Sequence, residues 1–365
     1  MSKLKVALGG LLMATLLLAS CATVPATETV TVTRSVTSVI TGSVSTSSTT
    51  SVIPGPTSTV IVTSVIPGPT STTTLTATTT SNPIVIGTFG LVPANLIGIC
   101  SAGPNIWVVN SSNNTVIKLK ASNGARLGTY NVGAGPIGIS FDGANIWVTS
   151  SDDIVTKLRE DDGAVLGTYV VGPAPAGVCY DGANIWVFCG NNKVAKLRAS
   201  DGSNLGTYGV GISLFGNSPF GIAFDGANIW VCDINDITVT KLRASDGLRL
   251  GTYNVGISPT GICFDGANIW VSSSGSNTVT KLRASDGSNL GTYNVGNYPT
   301  GIAFGGGNIW VSNTRANTVT KLRASDGANL GTINVGGQPA GICYDGSNIW
   351  VVNQGSGTIT ELNGG

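Results

Sequence analysis

Short runs of apolar and β-branched residues alternate with polar turns from residue 83 to residue 365. One representative stretch, residues 261–300, contains four such runs: Gly-Ile-Cys-Phe (261–264), Asn-Ile-Trp-Val-Ser (268–272), Thr-Val-Thr-Lys-Leu-Arg (278–283) and Leu-Gly-Thr-Tyr-Asn-Val (290–295). Each run has the length of a strand and is too short for a helix. Asp265-Gly266 and Asp286-Gly287 lie between runs, where glycine supplies the positive φ of a tight hairpin. The stretch therefore predicts a four-stranded antiparallel meander.

This meander recurs along the chain, and its clearest marker is the sequence Asn-Ile-Trp-Val. The seven tryptophans are spaced by 40, 39, 44, 40, 40 and 40 residues, and they are Trp107, Trp147, Trp186, Trp230, Trp270, Trp310 and Trp350. A fixed period near 40 indicates one supersecondary unit repeated. A single meander cannot bury both of its apolar faces, whereas seven arranged radially pack against one another. We predict an all-β fold, a seven-bladed β-propeller of four-stranded antiparallel blades.

The two ends of the repeat array complement each other. The last unit stops after its third strand, near Leu362, while the array begins with residues 84–89, which align with the fourth-strand run 290–293. We predict that this N-terminal segment supplies the outermost strand of the seventh blade. Such a 1+3 closure joins the ring and removes an open sheet edge.

The repeats resemble a known family. Trp-Val-Ser-Asn at 310–313 and Trp-Val-Val-Asn at 350–353, followed by Thr-(Val/Ile)-Thr-(Lys/Glu)-Leu, with Val-Gly-x-x-Pro between successive repeats, are similar to the YVTN-type propeller repeat, with Trp in place of the leading Tyr. The resemblance covers roughly residues 83–365 and extends to NHL-like propellers and bacterial cell-surface lipoproteins. It implies the fold but does not choose a function, because such propellers include surface-layer proteins, quinoprotein-like proteins, lyases and lactonases.

The N-terminal region predicts export. Two lysines precede an apolar run from Val6 to Leu18, and Leu-Ala-Ser-Cys at 18–21 resembles a bacterial lipobox. We predict a lipoprotein signal peptide over residues 1–20, with Cys21 lipidated and anchored in the cell membrane or outer membrane. The alternative is an ordinary signal peptide with an incidental cysteine. Residues 21–82 are rich in Thr, Ser and Pro and predict an extracytoplasmic stalk, followed by the propeller at 83–365.

Composition narrows the chemistry. The net charge of +1 and the lack of a basic block argue against nucleic acid as a partner, and histidine is absent. The chain therefore has no histidine-dependent catalytic triad and no histidine-ligated metal. We expect no cofactor, except that carboxylates could hold a divalent cation, and we expect a monomer.

Comparison of the repeats also predicts which cysteines are buried and which turns are exposed to solvent. Four cysteines share one innermost-strand position that is Ser140, Ala223 or Ala303 in the other blades, which predicts a small buried side chain; they are Cys100, Cys179, Cys263 and Cys343. Two disulfides remain open, one between Cys343 and Cys100 and one between Cys189 and Cys232. The nearly identical turns at one end, with Lys241, Arg243, Lys281 and Arg283, predict solvated hairpins with surface ion pairs.

The opposite end differs in every blade, and loops that vary on a constant scaffold are where propellers usually bind. A ring of polar residues, each three positions after a tryptophan, is predicted there. The fourth blade adds a longer entry loop, 210–220, that carries apolar residues next to carboxylates. The resulting candidate ligand-binding residues are Phe215, Phe220, Asp233, Asp236, Asp152, Asp153, Asn313, Arg315 and Asn353. The alternative is that these side chains only cover and solvate their own loops.

Three functions fit these patterns. The first is a membrane-anchored binding or scaffold module that holds a protein, a glycan or an envelope polymer on the variable loops. The second is a histidine-independent lactonase or lyase in which Asp152, Asp153, Asp233 or Asp236 holds a divalent cation. The third is a structural component of the envelope.

Overall fold

The strands of the protein form seven separate four-stranded antiparallel sheets. The computed structural model describes residues 85–91, 95–211, 221–234 and 237–365, all within one compact unit, Asn82–Gly365. The innermost strands of successive sheets contact one another, and the last innermost strand contacts the first, so the sheets close into a ring. The predicted seven-bladed β-propeller is therefore confirmed.

Each blade is built from four consecutive strands, except the seventh. Blade one contains β2 (Leu96–Ala102), β3 (Asn105–Asn110), β4 (Thr115–Lys120) and β5 (Arg126–Asn131), with a 3-10 turn at Ser111–Asn113; blade two contains β6 (Pro136–Phe141), β7 (Asn145–Ser150), β8 (Ile154–Arg159) and β9 (Val165–Val170); blade three contains β10 (Val178–Tyr180), β11 (Asn184–Cys189), β12 (Lys193–Arg198) and β13 (Asn204–Gly209).

The remaining blades repeat this order. Blade four contains β14 (Ile222–Phe224), β15 (Asn228–Asp233), β16 (Thr238–Arg243) and β17 (Arg249–Asn254); blade five contains β18 (Pro259–Phe264), β19 (Asn268–Ser273), β20 (Thr278–Arg283) and β21 (Asn289–Asn294); blade six contains β22 (Pro299–Gly305), β23 (Asn308–Asn313), β24 (Thr318–Arg323) and β25 (Asn329–Asn334); blade seven contains β26 (Pro339–Tyr344), β27 (Asn348–Asn353) and β28 (Thr358–Asn363).

The fourth strand of blade seven is β1, Val85–Gly90, which pairs antiparallel with β28. Phe89 of β1 stacks on Trp350 with the ring centroids 5.7 Å apart. In five other blades a tyrosine of the fourth strand packs on the blade's own tryptophan in the same way. Phe89 thus takes the place of that tyrosine.

The core lies between the blades. All seven tryptophans are fully buried, and the second and third strands of every blade are buried over most of their length. The fourth strands are mostly exposed. Each hydrophobic cluster combines residues of two neighbouring blades, for example Trp230 of blade four with Ile269 and Val271 of blade five. Apolar residues on both faces of the second strand are required by this packing, because each blade is covered by a neighbour on either side.

In blades one to six, a lysine on the third strand joins the blade to the next. Lys281 lies directly opposite Trp270, with its Nζ 4.9 Å from the ring centroid. The same ammonium donates hydrogen bonds to the carbonyl oxygens of Ala324 (2.8 Å) and Ser325 (3.0 Å) in blade six. Lys241 makes the equivalent contacts to blade five. A buried cation is satisfied here by an aromatic face and by backbone dipoles.

The prediction that Lys241 and Lys281 are solvated is therefore wrong, since both side chains are buried. The prediction is confirmed for the arginines two residues later. Arg243 pairs with Asp246 and Arg283 with Asp286 at 3.1 and 3.0 Å, and all four side chains are about half exposed.

The aspartate of the first hairpin binds the tryptophan of its own blade. Asp265 Oδ1 accepts the backbone N–H groups of Ala267 and Asn268, and its Oδ2 accepts the Trp270 indole N–H at 2.7 Å. Burial raises the pKa of Asp265, but the hydrogen bonds from Trp270, Asn268 and the backbone outweigh it, so the pKa is lowered overall. This residue therefore fixes the tryptophan as well as the turn.

The glycine of the second hairpin has a packing role besides its positive φ. Gly287 has φ 77°, and a Cβ placed on it would lie 1.9 Å from the Tyr253 ring of the preceding blade. The turn therefore needs glycine both for its backbone conformation and for the close approach of the tyrosine.

The described residues contain no helix long and apolar enough to cross a membrane. The predicted signal peptide at 1–20, the predicted lipidation site Cys21 and the whole of the predicted stalk at 21–82 lie outside the described residues. They stay predictions.

Candidate functional site

The variable face is the end of the propeller formed by two sets of loops. One set joins the second strand to the third within a blade, and the other set, the entry loops, leads from one blade into the next. Antiparallel pairing places both sets at the same end of the ring. Of the predicted ligand-binding residues, Phe215, Phe220 and Asp236 lie outside the described residues.

A repeated hydrogen bond fixes four of the entry loops to the blade before them. The residue that ends the second-to-third-strand turn has a positive φ, which asparagine and aspartate tolerate well. The side-chain oxygen of this residue accepts a backbone N–H from the next entry loop. The bonds run from Gly135 to Asn114 (2.9 Å), from Ala174 to Asp153 (3.1 Å), from Tyr298 to Asn277 (2.8 Å) and from Gln338 to Asn317 (2.8 Å).

Asp152 and Asp153 belong to this loop framework. Asp153 Oδ1 accepts the N–H of Ala174, and Asp152 Oδ2 accepts the N–H of Ala134 at 3.0 Å. Both aspartates are exposed. Their first task is to hold the entry loops of blades two and three.

The predicted polar ring on this face is buried beneath the entry loops. Asn313 and Asn353 are fully buried, and each donates its Nδ2 hydrogens to two threonine hydroxyls of the neighbouring third strand at 3.1 and 2.8 Å. Neither side chain lies at the surface in this structure, and a ligand-binding role for Asn313 and Asn353 stays a prediction. Sequence alternation placed them at the correct end of the strand but could not show that a loop covers them.

Asp233 occupies the same buried position in blade four and is 8% exposed. A Cβ on Gly211 of the entry loop would lie only 1.7 Å from Asp233 Oδ2. In blade six, a Cβ on Gly296 would lie 2.5 Å from Asn313 Cγ. The glycine of the Val-Gly motif is therefore required because the entry loop rests directly on the ring residue. Asp233 is covered in the same way, which contradicts its expected exposure at the surface.

Arg315 is the cationic residue among the predicted ligand-binding residues, and its side chain is exposed on the variable face. Its Cζ lies 4.1 Å from the centroid of the Tyr298 ring. Tyr298 was missed by the sequence reasoning. The available signal was the aromatic residue before Pro299, where the corresponding residues of other blades are Gly135, Ala174, Ser258 and Gln338.

The described residues provide neither a metal cluster nor an activated thiol. No group of three or more Cys, Asp or Glu side chains comes together among them in a way that could hold a metal ion. Their six cysteines are all unpaired, so neither of the two possible disulfides is formed. Burial raises the pKa of Cys189 to about 11 and raises the pKa values of the other five further. These thiols are therefore protonated at neutral pH and are poor nucleophiles.

Comparison with known proteins identifies the family of the chain and shows a likeness to solved structures. Residues 88–293 match the PQQ_2 family model, described as outer membrane protein assembly factor BamB. No curated protein matches the chain. Among solved structures, the chain is similar to Kuenenia stuttgartiensis hydrazine synthase, with 18% sequence identity and a TM-score of 0.64 over 75% of this chain and 97% of that chain. At this identity the likeness concerns the fold alone.

Proposed function

Because the chain belongs to the family described as outer membrane protein assembly factor BamB, we propose that it is a non-catalytic scaffold that binds a protein partner on its variable face. Lipidated Cys21 would anchor the protein to a membrane on the extracytoplasmic side, and residues 21–82 would hold the propeller away from the lipid surface. The YVTN-type or NHL-like character of the repeats stays a prediction.

The observation that supports the proposal is the hydrogen bonding that fixes the variable loops to the blades. Four of the entry loops donate a backbone N–H to a side-chain oxygen of the preceding blade, and the accepting residues are Asn114, Asp153, Asn277 and Asn317. The residues that these loops present outward differ from blade to blade. A rigid surface loses little conformational entropy on binding, and its variable residues can specify one partner. No comparable observation in the described residues favours the lactonase or lyase.

Site-specific photo-cross-linking in the intact membrane-anchored protein tests this proposal. A photoreactive amino acid is placed at exposed variable-face positions, Gln338 and Asn297, and in matched variants at exposed positions of the opposite end, Ser245 and Ser285. We expect a discrete cross-linked protein from the variable-face variants alone. Cross-links only from Ser245 and Ser285, or cross-links to polysaccharide alone, would contradict the proposal.

The anchor is tested separately. Cys21→Ser should abolish labelling by a fatty acid and move the protein from the membrane fraction to the soluble fraction. If the variant stays membrane-bound and labelled, the predicted lipidation site is wrong.

A further inference from the structure

Resting on the proposed function, we infer that Ile237, Ile257, Tyr298 and Arg315, here called the rim patch, form a docking site for a protein segment that carries an aliphatic side chain next to a carboxylate. The four residues lie on the variable face of blades four to six.

The seven repeats provide an internal control for Ile237. The corresponding residue of every other blade also has a positive φ, and it is Asn114, Asp153, Asn192, Asn277, Asn317 or Gly357. Ile237 has φ 53°, which is a strained conformation for a β-branched residue. An isoleucine side chain also has no oxygen that could accept the N–H of the next entry loop, as the asparagine or aspartate does in four other blades. The side chain is 45% exposed, so burial does not offset this strain.

Tyr298 differs from the repeat in its side chain. Its φ of 58° before Pro299 is shared by the corresponding residues Gly135, Ala174, Ser258 and Gln338, and only blade six places an aromatic ring there. Its ring lies against the Arg315 guanidinium, and the arginine side chain remains exposed. Residues whose strained backbone conformation is not offset by packing in the core are typical of binding sites.

Hydrogen bonds from backbone N–H groups join the loops that carry the rim patch, each loop to the next. The Val255 N–H donates to the Ile237 carbonyl at 2.9 Å, and the Gly275 N–H donates to the Ile257 carbonyl at 3.0 Å. The next link is the bond from the Tyr298 N–H to Asn277 at 2.8 Å. Ile257 is 57% exposed, and the matching positions of other blades are Ala134, Pro173, Asn297 and Gly337. The two exposed isoleucines and the Tyr298–Arg315 pair therefore lie on loops that are joined one to the next.

The charge of Arg315 indicates that the partner segment carries a carboxylate. Arg315 is the sole charged residue in the described variable-face loops of blades five, six, seven and one, which are residues 255–258, 274–277, 295–298, 314–317, 335–338, 354–357 and 111–114, while Asp236 precedes Ile237 in the sequence of blade four. Within the described part of the chain, Arg315 makes no ion pair. A supported guanidinium matches a carboxylate through two parallel hydrogen bonds. Arginine and tyrosine are also enriched among the residues that dominate binding energies.

A random peptide library displayed on phage, selected against the full-length protein, tests this inference. Enriched peptides should carry Asp or Glu close to an aliphatic residue. For a synthetic peptide of that sequence, Arg315→Ala should weaken binding by about tenfold and Arg315→Lys by less, because lysine cannot pair bidentately. Arg283→Ala is the matched control at the opposite end of the ring and should leave the affinity unchanged.

Ile237→Asn separates a binding role from a structural one. This variant restores the asparagine of other blades, so it should raise Tm by about 2–4 °C while weakening the same peptide by about fivefold. A merely structural Ile237 would give the rise in Tm without the loss of binding.

The remaining outcomes refute the inference. Enriched peptides without acidic residues, peptides held equally by Arg315→Ala, or a library that yields no binder would each overturn it. If photo-cross-links to a protein from Gln338 and Asn297 persist in the Arg315→Ala, Ile237→Asn double variant, the rim patch is wrong but the scaffold proposal stands. If peptides bind as expected but no protein is cross-linked, the scaffold proposal fails instead.

Discussion

Replacing Lys281 by methionine should show how much one inter-blade lysine contributes to stability. Methionine keeps most of the side-chain length and its packing against Trp270, so the change removes mainly the charge and its hydrogen bonds. The ammonium is bonded to the carbonyls of Ala324 and Ser325 and lies 4.9 Å from the indole centroid. The variant therefore isolates the polar part of the contact between blades five and six.

Two opposing effects set the magnitude. Hydrogen bonds to a charged group contribute about 1.5–3 kcal/mol each, and a desolvated cation–π contact about 2 kcal/mol. Removing the buried ammonium also removes its desolvation penalty, which is several kcal/mol. The Ser325 carbonyl belongs to an exposed residue and can bind water instead, whereas Ala324 is buried and its carbonyl loses its donor. We expect a net loss of about 2 kcal/mol in the free energy of unfolding.

Urea unfolding of the full-length protein, followed by tryptophan fluorescence, measures this loss. Arg283→Ala is the matched control, because Arg283 lies on the same strand but forms a half-exposed ion pair with Asp286. The control should lose less than about 1 kcal/mol. If Lys281→Met is as stable as the wild type or more stable, ammonium desolvation outweighs the contacts, and the lysine does not stabilise the ring.

Three further predictions concern blade seven, the hairpin aspartate and β1. Glu361 lies opposite Trp350 where the other blades have lysine, and burial raises the pKa of its carboxyl, so Glu361→Lys should raise the free energy of unfolding by about 1 kcal/mol; a lower value in urea unfolding would contradict this. The lowered pKa of Asp265 means that its contribution is present above the unfolded-state pKa, about 3.9, and is lost as the pH falls through the folded-state pKa. Asp265→Asn should therefore be destabilised by about 1–2 kcal/mol at pH 7, with the gap to wild type closing in acid; a gap that is constant with pH would refute this. Deleting residues 1–90 removes β1 and leaves the edge of β28 unpaired, so light scattering should show aggregation; a soluble, cooperatively unfolding monomer would show that β1 is dispensable.

The sequence by itself determined which segments form strands and how many blades there are. It also determined that the uniform turns lie at one end of the ring and the variable loops at the other. These features depend on local alternation and turn chemistry, and seven copies of the pattern made the period of about 40 residues unambiguous. Comparison of the copies also located the variable face, because loops differ where the scaffold does not require one residue. The exposure of Arg315 could be predicted for the same reason, whereas the surface ion pairs of Arg243 and Arg283 could be predicted because each arginine lies three residues before an aspartate of a uniform turn.

Only the tertiary structure decided which polar residues are buried. Lys281 looks like a surface residue in the sequence, and it is buried because the next blade supplies its carbonyl partners. Asn313, Asn353 and Asp233 lie at the predicted face, but a loop that packs through a glycine covers each of them. Burial of this kind depends on chain segments that are distant in sequence, so no local pattern records it. The same packing leaves Arg315 exposed on Tyr298, which makes it the predicted residue most suited to binding.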